Sequence, residues 1–216
     1  MSGSSAEARP LRSDAQRNRE RILASARILL ARYGAEASVE QITGEAGVGM
    51  GTLYRHFPTK EALIDAVLED AFADLVQIAE QAVADEDAWR GFTSFLERAL
   101  ALHAANRGLK DMLVAGDHGR QRARAMRARI QPLLAELIDR AHAQGALRPD
   151  FTAADVSLVF WASGRVIEAS AAVAPEHWRR YLGFLLDGLR GGAATPLPVP
   201  PLTPSQLARA AGRRER

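Results

Sequence analysis

Apolar residues recur every three or four positions along almost all of this 216-residue chain. That spacing places them on one side of an α-helix, whereas a half-buried β-strand requires strict alternation of apolar and polar residues. No stretch of the chain alternates for long enough to predict a strand. The pattern therefore predicts an all-α protein.

Capping residues and glycines mark the first two helices. Two Ser-x-x-Gln sequences, which begin at Ser13 and Ser38, have the spacing of capping boxes and predict helix starts. Gly34 and Gly47 follow the apolar patterns and predict the ends of these helices, because glycine adopts the left-handed conformation that closes a helix. The second helix has only about two turns and needs partners to be stable.

Proline marks the remaining boundaries of the chain. Pro58 closes a third short helix, because the residue before a proline avoids helical geometry. We expect a disordered arm at residues 1–12 and a three-helix domain at residues 13–58. A helical domain follows at 59–190, and five prolines predict a disordered tail at 191–216. Beyond a long fourth helix, the larger domain has helical patterns at residues 88–105, 108–115, 119–144, 153–174 and 176–190.

Charge changes sign along the chain. Residues 1–60 hold nine Lys and Arg against six Asp and Glu, whereas residues 61–100 hold two against ten. The net charge of +2 therefore hides a basic N-terminal segment followed directly by an acidic one. Attraction of a polyanion to the first segment is expected to be local and sensitive to salt.

Several functional classes are excluded by what the sequence lacks. The chain has no cysteine, which excludes disulfides, thiolate metal sites and cysteine nucleophiles. It has no Gly-rich nucleotide loop, paired-histidine metal motif or Gly-x-Ser-x-Gly elbow. No apolar run reaches the roughly 18 to 20 residues of a membrane helix. We expect a cytoplasmic protein that is not an enzyme, without a cofactor, a metal ion or a membrane partner.

Two short helices joined by a glycine turn at residues 47–49 have the signature of a helix-turn-helix. In the second of them Leu53 and Phe57 face inward. The outer face then carries hydroxyls, an imidazole and a guanidinium with no carboxylate, a surface that accepts phosphate. Gly51 lacks a side chain, so the start of this helix can approach DNA closely.

A known family shares this helix-turn-helix. The chain resembles the tetracycline-repressor (TetR) family of transcriptional regulators over about residues 13–68, with near identity to the family pattern in the run AGVGMGTLYRHFPTKEAL at residues 46–63. The resemblance implies an all-helical homodimer whose N-terminal helices bind double-stranded operator DNA. It also implies a larger helical domain that binds a small apolar or amphipathic effector and dimerises, most often in a repressor that the effector releases.

The resemblance also implies which residues contact DNA. The residues expected to contact phosphate are Ser38, Thr52, Tyr54, His56 and Lys60. Those expected to face the groove are Met50, Gly51 and Arg55. Thr43 stands where the family most often has alanine, and is either a packing variant or an extra phosphate contact. Glu40 stands where the family commonly has a basic or polar residue that contacts DNA. This difference puts the contribution of the second helix to DNA binding in doubt. Taken singly, Tyr54 could instead pack against the first helix and His56 could cap locally.

Residues of the larger domain are assigned from the family's general layout. The expected effector pocket comprises Phe92, Phe95, His103, Met112, Met126, Phe160 and Trp161. The last two helices pair with their copies in the family, which implies a dimer interface at Val156, Gly164, Ile167, Trp178, Leu182, Leu185 and Leu189. The alternatives are that the first set is ordinary core and that a monomer buries the second set internally.

Two further alternatives remain open at this point. The chain could be a helical scaffold or adaptor without DNA binding. The arginine-rich run at residues 120–129 could be a second nucleic-acid surface or, as is more common, a solvated helix face. If the run is a solvated helix face, we expect its arginines to form ion pairs with the acidic residues at 61–87, and each such pair is individually weak.

Overall fold

The computed structural model describes residues 8–106, 116–192 and 195–212. These residues form helices without a β-strand, which confirms the all-α prediction. No helix in these ranges is long and apolar enough to cross a bilayer. The helices are α1 (Ala8–Tyr33), α2 (Val39–Ala46), α3 (Met50–His56), α4 (Lys60–Val83), α5 (Ala88–Ala105), α6 (Gly116–Ala143), α7 (Ala153–Ser170), α8 (Trp178–Leu189) and α9 (Pro204–Gly212), with a 3-10 turn at Gly34–Glu36.

Helices lie within both terminal segments that we expected to be disordered. The predicted helix start at Ser13 is wrong: helix α1 begins at Ala8, because alanine, leucine and arginine favour a helix and proline is tolerated in its first turn. Helix α9 begins after Thr203, whose N–H donates to Gln206 Oε1 over 2.9 Å while the Gln206 N–H donates to Thr203 Oγ1 over 3.3 Å. Thr203 and Gln206 thus form a capping box in the proline-rich tail. The helix expected at residues 108–115 lies outside the described residues.

The described residues cluster into two compact units. The first lies within Met1–Ala73 and Ala105–Ala123, and the second within Asp74–Ala104 and Arg124–Arg216. The core of the first unit includes Leu63 and Val67 of α4. The unit therefore extends beyond residue 58, where we expected the first domain to end, because this half of α4 supplies part of its core.

The core of the first unit forms where α1 to α4 meet. Its buried residues are Ile22, Ala26, Leu30, Ala37, Val39, Ile42, Ala46, Leu53, Phe57, Leu63, Val67 and Leu68. At its edge the Arg27 guanidinium on α1 donates to Asp70 Oδ2 over 3.5 Å and to Asn106 Oδ1 over 3.3 Å. These contacts link α1 to α4 and to the residue that follows α5.

The second unit has an aromatic-rich core. The ring of Phe92 on α5 meets the ring of Phe151 edge to face, with 5.7 Å between centroids. Phe95 packs against Phe160 of α7 with a centroid separation of 6.4 Å. Trp178 at the start of α8 is fully buried in the same core. These contacts join α5, α7 and α8.

Hydrogen bonds of Arg148 and Asp150, which we refer to as the polar clasp, join the chain beyond α8 to the segment between α6 and α7. Arg148 Nε donates to Asp150 Oδ1 over 2.5 Å, and other guanidinium nitrogens donate to the carbonyls of Gly188 and Thr195 over 3.0 and 2.6 Å. The Leu197 N–H donates to Asp150 Oδ2 over 3.0 Å. The start of the tail is therefore held against the second unit.

This clasp predicts an acid-sensitive contact. The hydrogen bond from Arg148, followed by that from the Leu197 N–H, lowers the pKa of Asp150 from its ordinary 3.8 to about 2. The carboxylate therefore stabilises the fold fully above about pH 4, and this contribution is lost as the pH falls towards 2. In a pH titration followed by NMR, the Leu197 amide signal should shift with a midpoint well below 3.8.

The Asp150→Asn variant is the control for this titration. It has no carboxyl at residue 150, so its Leu197 amide should show no such midpoint, and its deficit in stability against the wild type should shrink as the pH falls from 4 to 2. A wild-type midpoint at pH 4 or above would show that the clasp does not hold the carboxylate.

Candidate nucleic-acid interface

Helix α2 begins with the capping box expected from the sequence. The Ser38 hydroxyl accepts from the Gln41 N–H over 3.2 Å, and the Ser38 N–H donates to Gln41 Oε1 over 2.9 Å. Ser38 also bonds to the Glu40 carboxylate. The hydrogen bonds of Glu40 to the backbone and to Ser38, with Lys60 nearby, lower the pKa of its carboxyl, so a negative charge persists here. The Ser38 hydroxyl is thus engaged within the protein, beside a charge that repels phosphate.

The surroundings of Thr43 favour the packing interpretation over an extra phosphate contact. The residue is buried, and its hydroxyl donates to the carbonyls of Val39 and Glu40 over 3.0 Å each. The Met50 sulfur lies 3.6 Å from the same hydroxyl. A threonine fits the site because its hydroxyl is satisfied by the preceding turn of its own helix. It therefore joins α2 to the start of α3 and does not face solvent.

The turn between α2 and α3 requires glycine at residue 47. Gly47 has φ +61°, and the N–H of Val48 donates to the carbonyl of Thr43 over 3.1 Å. A β-carbon at Gly47 would lie 2.7 Å from Arg21 Nη2, the atom that donates to the Gly47 carbonyl over 3.4 Å. The left-handed backbone disfavours a side chain at this position, and a β-carbon would also displace the end of the Arg21 side chain. The turn thereby fixes how α3 follows α2.

Helix α3 presents a polar, carboxylate-free outer face. Leu53 is fully buried in the first unit, and Phe57, directly after the helix, packs beside it. On the opposite side Gly51 and Arg55 are exposed, and the Tyr54 side chain is 44% exposed. Tyr54 is therefore not packed away beneath α1. Met50, Thr52 and His56 flank this face and are half-buried.

Gly51 leaves open space at the front of α3. A β-carbon built at Gly51 meets no atom within 4 Å. The free protein thus has room for a side chain at this position, in contrast to Gly47. The small residue is not needed for packing within the chain, which is consistent with close approach of an external molecule.

Two cations that support α3 come from its neighbours. The Arg19 guanidinium of α1 lies 5.4 Å from the centre of the Phe57 ring, a cation–π contact. Lys60 Nζ donates to the Ala35 carbonyl over 2.7 Å. An ammonium has three donors, so this bond leaves two for an anion. The sequence analysis singled out Lys60 but assigned no role to Arg19 or Arg21.

Comparison with known proteins identifies the family. Residues 22–67 match the family model described as "Bacterial regulatory proteins, tetR family", and residues 87–191 match "Transcriptional regulator SbtR-like, C-terminal domain". A solved TetR transcription regulatory protein from Mycobacterium vanbaalenii is 34% identical with a TM-score of 0.65, over 84% of this chain and 99% of that one. The chain belongs to the TetR family.

Other relatives agree with this membership. A solved TetR transcriptional regulator from Streptomyces coelicolor is 31% identical with a TM-score of 0.60, over 81% of this chain and 99% of that one. An HTH-type transcriptional regulator from Staphylococcus aureus (strain USA300) is 45% identical over 60 residues, which are 27% of this chain and 32% of that relative. The match to this curated relative thus covers about a third of its length.

The expected effector residues of this TetR-family protein divide between two places. Phe95 of α5 packs against Phe160 of α7, and further along the same two helices a β-carbon at Gly164 would lie 3.1 Å from His103 Nε2. Phe92 lies instead against Phe151. Met126 and Trp161 are half-buried, and Met112 lies outside the described residues. No group of three His, Cys, Asp or Glu side chains in the described ranges is arranged to hold a metal ion.

Five of the seven residues expected at the dimer interface of this TetR-family protein are buried within a single chain. Four of these residues lie in the core of one chain: Val156, Ile167, Trp178 and Leu182. Gly164 is buried against His103. Leu185 and Leu189 are half-buried and pack on the same core. These residues pack in the core of their own chain, because helical spacing shows that a face is apolar but not which neighbour covers it.

Other apolar side chains of α7 and α8 reach the surface. Phe184 of α8 is 63% exposed and Leu158 of α7 is 38% exposed. The Arg180 guanidinium lies 5.2 Å from the centre of the Phe184 ring, which leaves most of the ring in solvent. Aromatic side chains are enriched in protein–protein contacts relative to the rest of a protein surface.

Proposed function

We propose that this protein is a transcriptional repressor that binds operator DNA through α3 as a homodimer and is released by a small-molecule effector. The observation that carries the proposal is the outer face of α3. It presents Tyr54 and Arg55 around an unoccupied space at Gly51 and has no carboxylate. Helix N-termini and cations bind phosphate, and an arginine in the major groove reads guanine.

The proposed set of DNA-contacting residues is smaller than the set expected from the sequence. Met50, Gly51 and Arg55 face the groove, and Thr52, Tyr54, His56 and Lys60 contact phosphate. Ser38 and Thr43 are omitted because their hydroxyls are engaged within α2. The proposal includes a cytoplasmic location, where such a regulator would meet its operator, and it includes no catalytic reaction.

The proposed dimer uses the outward surfaces of α7 and α8. Phe184 and Leu158 replace the buried residues as interface candidates. In a two-fold interface each residue contributes twice, so one exposed aromatic ring has a large effect on assembly. Two copies then place two α3 helices in successive major grooves, roughly 34 to 36 Å apart. An effector that favours another dimer conformation breaks this match.

In vitro selection from random double-stranded DNA tests the proposal. The full-length protein should enrich one sequence, which we refer to as the selected operator. A purified protein that enriches no sequence would favour the scaffold interpretation. Binding to the DNA upstream of its own gene provides a second check.

A pair of glycine variants tests the role of α3 in that binding. Gly51→Ala should raise stability by about 0.5 to 1 kcal/mol, because alanine favours a helix and its β-carbon meets open space. The same methyl group should weaken operator binding by about tenfold or more, if one to two close contacts each lose about 1 kcal/mol. Thermal unfolding and a gel shift measure the two effects.

Gly44→Ala is the matched control for this substitution. Gly44 is an exposed residue of α2, and a β-carbon there also meets no atom within 4 Å. This variant should gain similar stability and keep its operator affinity. Equal operator affinity for both variants would contradict close approach of DNA at Gly51.

A further inference from the structure

The outward face of α8 carries two opposite charges that are not paired with each other. Arg180 and Asp187 are both exposed and lie seven residues, or about two helical turns, apart, so they share the face that also carries Phe184. Ion pairs along one helix join residues three or four positions apart, which these two are not. Within the part of the chain that the structure describes, neither side chain bonds to an oppositely charged group.

Other charged side chains of this region have partners in their own chain. Arg179, next to Arg180, bonds to Glu176 over 2.7 Å and also to Glu97 of α5. On α7, Arg165 bonds to Glu168 over 2.7 Å. The charges at residues 180 and 187 differ from these neighbours, because their own chain supplies no counter-charge in the described ranges.

The Arg180 guanidinium is positioned but keeps its hydrogen-bond donors. Its Cζ lies over the Phe184 ring, 5.2 Å from the ring centre. This cation–π contact uses the charge of the guanidinium and none of its five N–H donors in a hydrogen bond. A guanidinium with free donors binds a carboxylate through two parallel hydrogen bonds. Arg180 is therefore available to a carboxylate that approaches the outward face of α8.

A glycine in the middle of this face permits close approach of another helix. Gly183 is exposed, and a β-carbon built there meets no atom within 4 Å. Glycine inside a helix is less favourable than alanine by about 1 kcal/mol, and packing within the described chain does not require it here. Without a side chain at the crossing point, two helix axes can come as close as about 8 Å.

The charges of α8 are complementary to those of a second, antiparallel copy of the same helix. A two-fold axis midway between Gly183 and Phe184 has Arg180 and Asp187 at equal distances on its two sides, about 5 Å along the helix. The axis then places Arg180 of each copy opposite the carboxylate of the other, so one kind of ion pair forms twice. A parallel arrangement would instead place each charge opposite its own copy, which like charges disfavour.

We propose that two copies of this chain associate through an antiparallel contact of α8 with α8, in which Arg180 of each copy bonds to Asp187 of the partner subunit and the two Phe184 rings meet beside the two-fold axis. This inference rests on the proposed function for the existence of a homodimer. It adds the register of the interface and the charge pattern by which the chain selects its own copy.

Charge reversal tests this pairing. Arg180→Asp places two carboxylates opposite each other twice in each dimer, and Asp187→Arg does the same with two guanidiniums. Each single variant should raise the dissociation constant of its homodimer about tenfold or more, because two attractions become two repulsions. The variant with both substitutions should return to within about threefold of the wild type, since the pairs form again with their direction reversed. Sedimentation equilibrium measures all four dissociation constants.

A mixture of the two single variants makes a prediction that depends on the register alone. In a mixed dimer the Arg180→Asp chain offers two carboxylates to the two guanidiniums of the Asp187→Arg chain, so both contacts are attractive. The mixture should therefore contain mainly the mixed dimer, which native mass spectrometry distinguishes from the two homodimers by mass. Random pairing in the mixture, or a double variant as weakly dimeric as the single ones, would overturn the proposal.

The variant Asp187→Arg with Arg98→Asp is the matched control for net charge. It has the same net charge as the rescued double variant, but its new carboxylate lies at an exposed position of α5. It should dimerise as weakly as Asp187→Arg alone. Rescue as complete as that by Arg180→Asp would show that total charge controls the association, and the register would fall.

The Phe184→Glu variant distinguishes failure of this inference from failure of the proposed function. If Phe184→Glu breaks the dimer while every charge variant dimerises like the wild type, the surface of α8 stands as the interface and the register falls. If the wild-type protein sediments as a monomer, the homodimer of the proposed function falls and the register falls with it.

Discussion

Replacing Arg55 with alanine is expected to weaken binding of the dimer to the selected operator by about 30-fold or more, because two bidentate contacts with guanine, one from each α3, are lost and each is worth about 1 to 3 kcal/mol. The guanidinium is exposed on the outer face of α3, so its loss should leave the thermal unfolding temperature unchanged. Affinity for unrelated DNA should fall much less, because one cation among several phosphate contacts is removed. Fluorescence anisotropy with both DNA molecules measures the ratio of the affinity for the selected operator to the affinity for unrelated DNA.

Arg98→Ala is the matched control for this effect. Arg98 is an exposed cation on α5, and its removal changes the net charge by the same amount. It should lower binding to both DNA molecules slightly and equally. If Arg55→Ala and Arg98→Ala have the same effect on the selected operator, α3 does not read bases through Arg55.

Replacing Phe184 with glutamate is expected to weaken the dimer by about 30- to 1000-fold, which corresponds to about 2 to 4 kcal/mol for a central aromatic residue of an interface. The ring is 63% exposed in one chain, so the free subunit should keep its fold. Because the two-fold operator needs two α3 helices, operator binding should fall with the dimer. Sedimentation measures the loss of dimer and a gel shift measures the loss of operator binding, both over the same range of protein concentration.

The control for Phe184→Glu is Ile28→Glu on α1. Ile28 is 60% exposed, and the change places the same charge on another helix. This variant should remain as dimeric as the wild type. If Phe184→Glu also sediments as a dimer, the outward surface of α8 is not the interface and the dimer must form elsewhere.

Local signals in the sequence were sufficient to predict the helix-turn-helix. The capping box at Ser38, the glycine at residue 47 and the inward pair Leu53 and Phe57 all act within a few residues of each other. Their structural effects depend on backbone geometry, which local sequence specifies well. The resemblance to the TetR family rested on the same segment and is confirmed.

Predictions that depend on which surface meets which neighbour were less successful. Thr43 was open to two interpretations because helical spacing does not tell whether a small polar residue turns inward, and its bonds to Val39 and Glu40 decide the matter. Trp178 and Leu182 were assigned to a partner but pack on their own chain.

The most direct test of the central claim is the form of the selected operator. A homodimer that reads DNA through α3 predicts an inverted repeat, with half-site centres one helical turn or a multiple of it apart, about 10 to 10.5 base pairs per turn. Footprinting should protect both half-sites at the same protein concentration. Recovery of a single unrepeated site, or of no enriched sequence at all, would contradict the account.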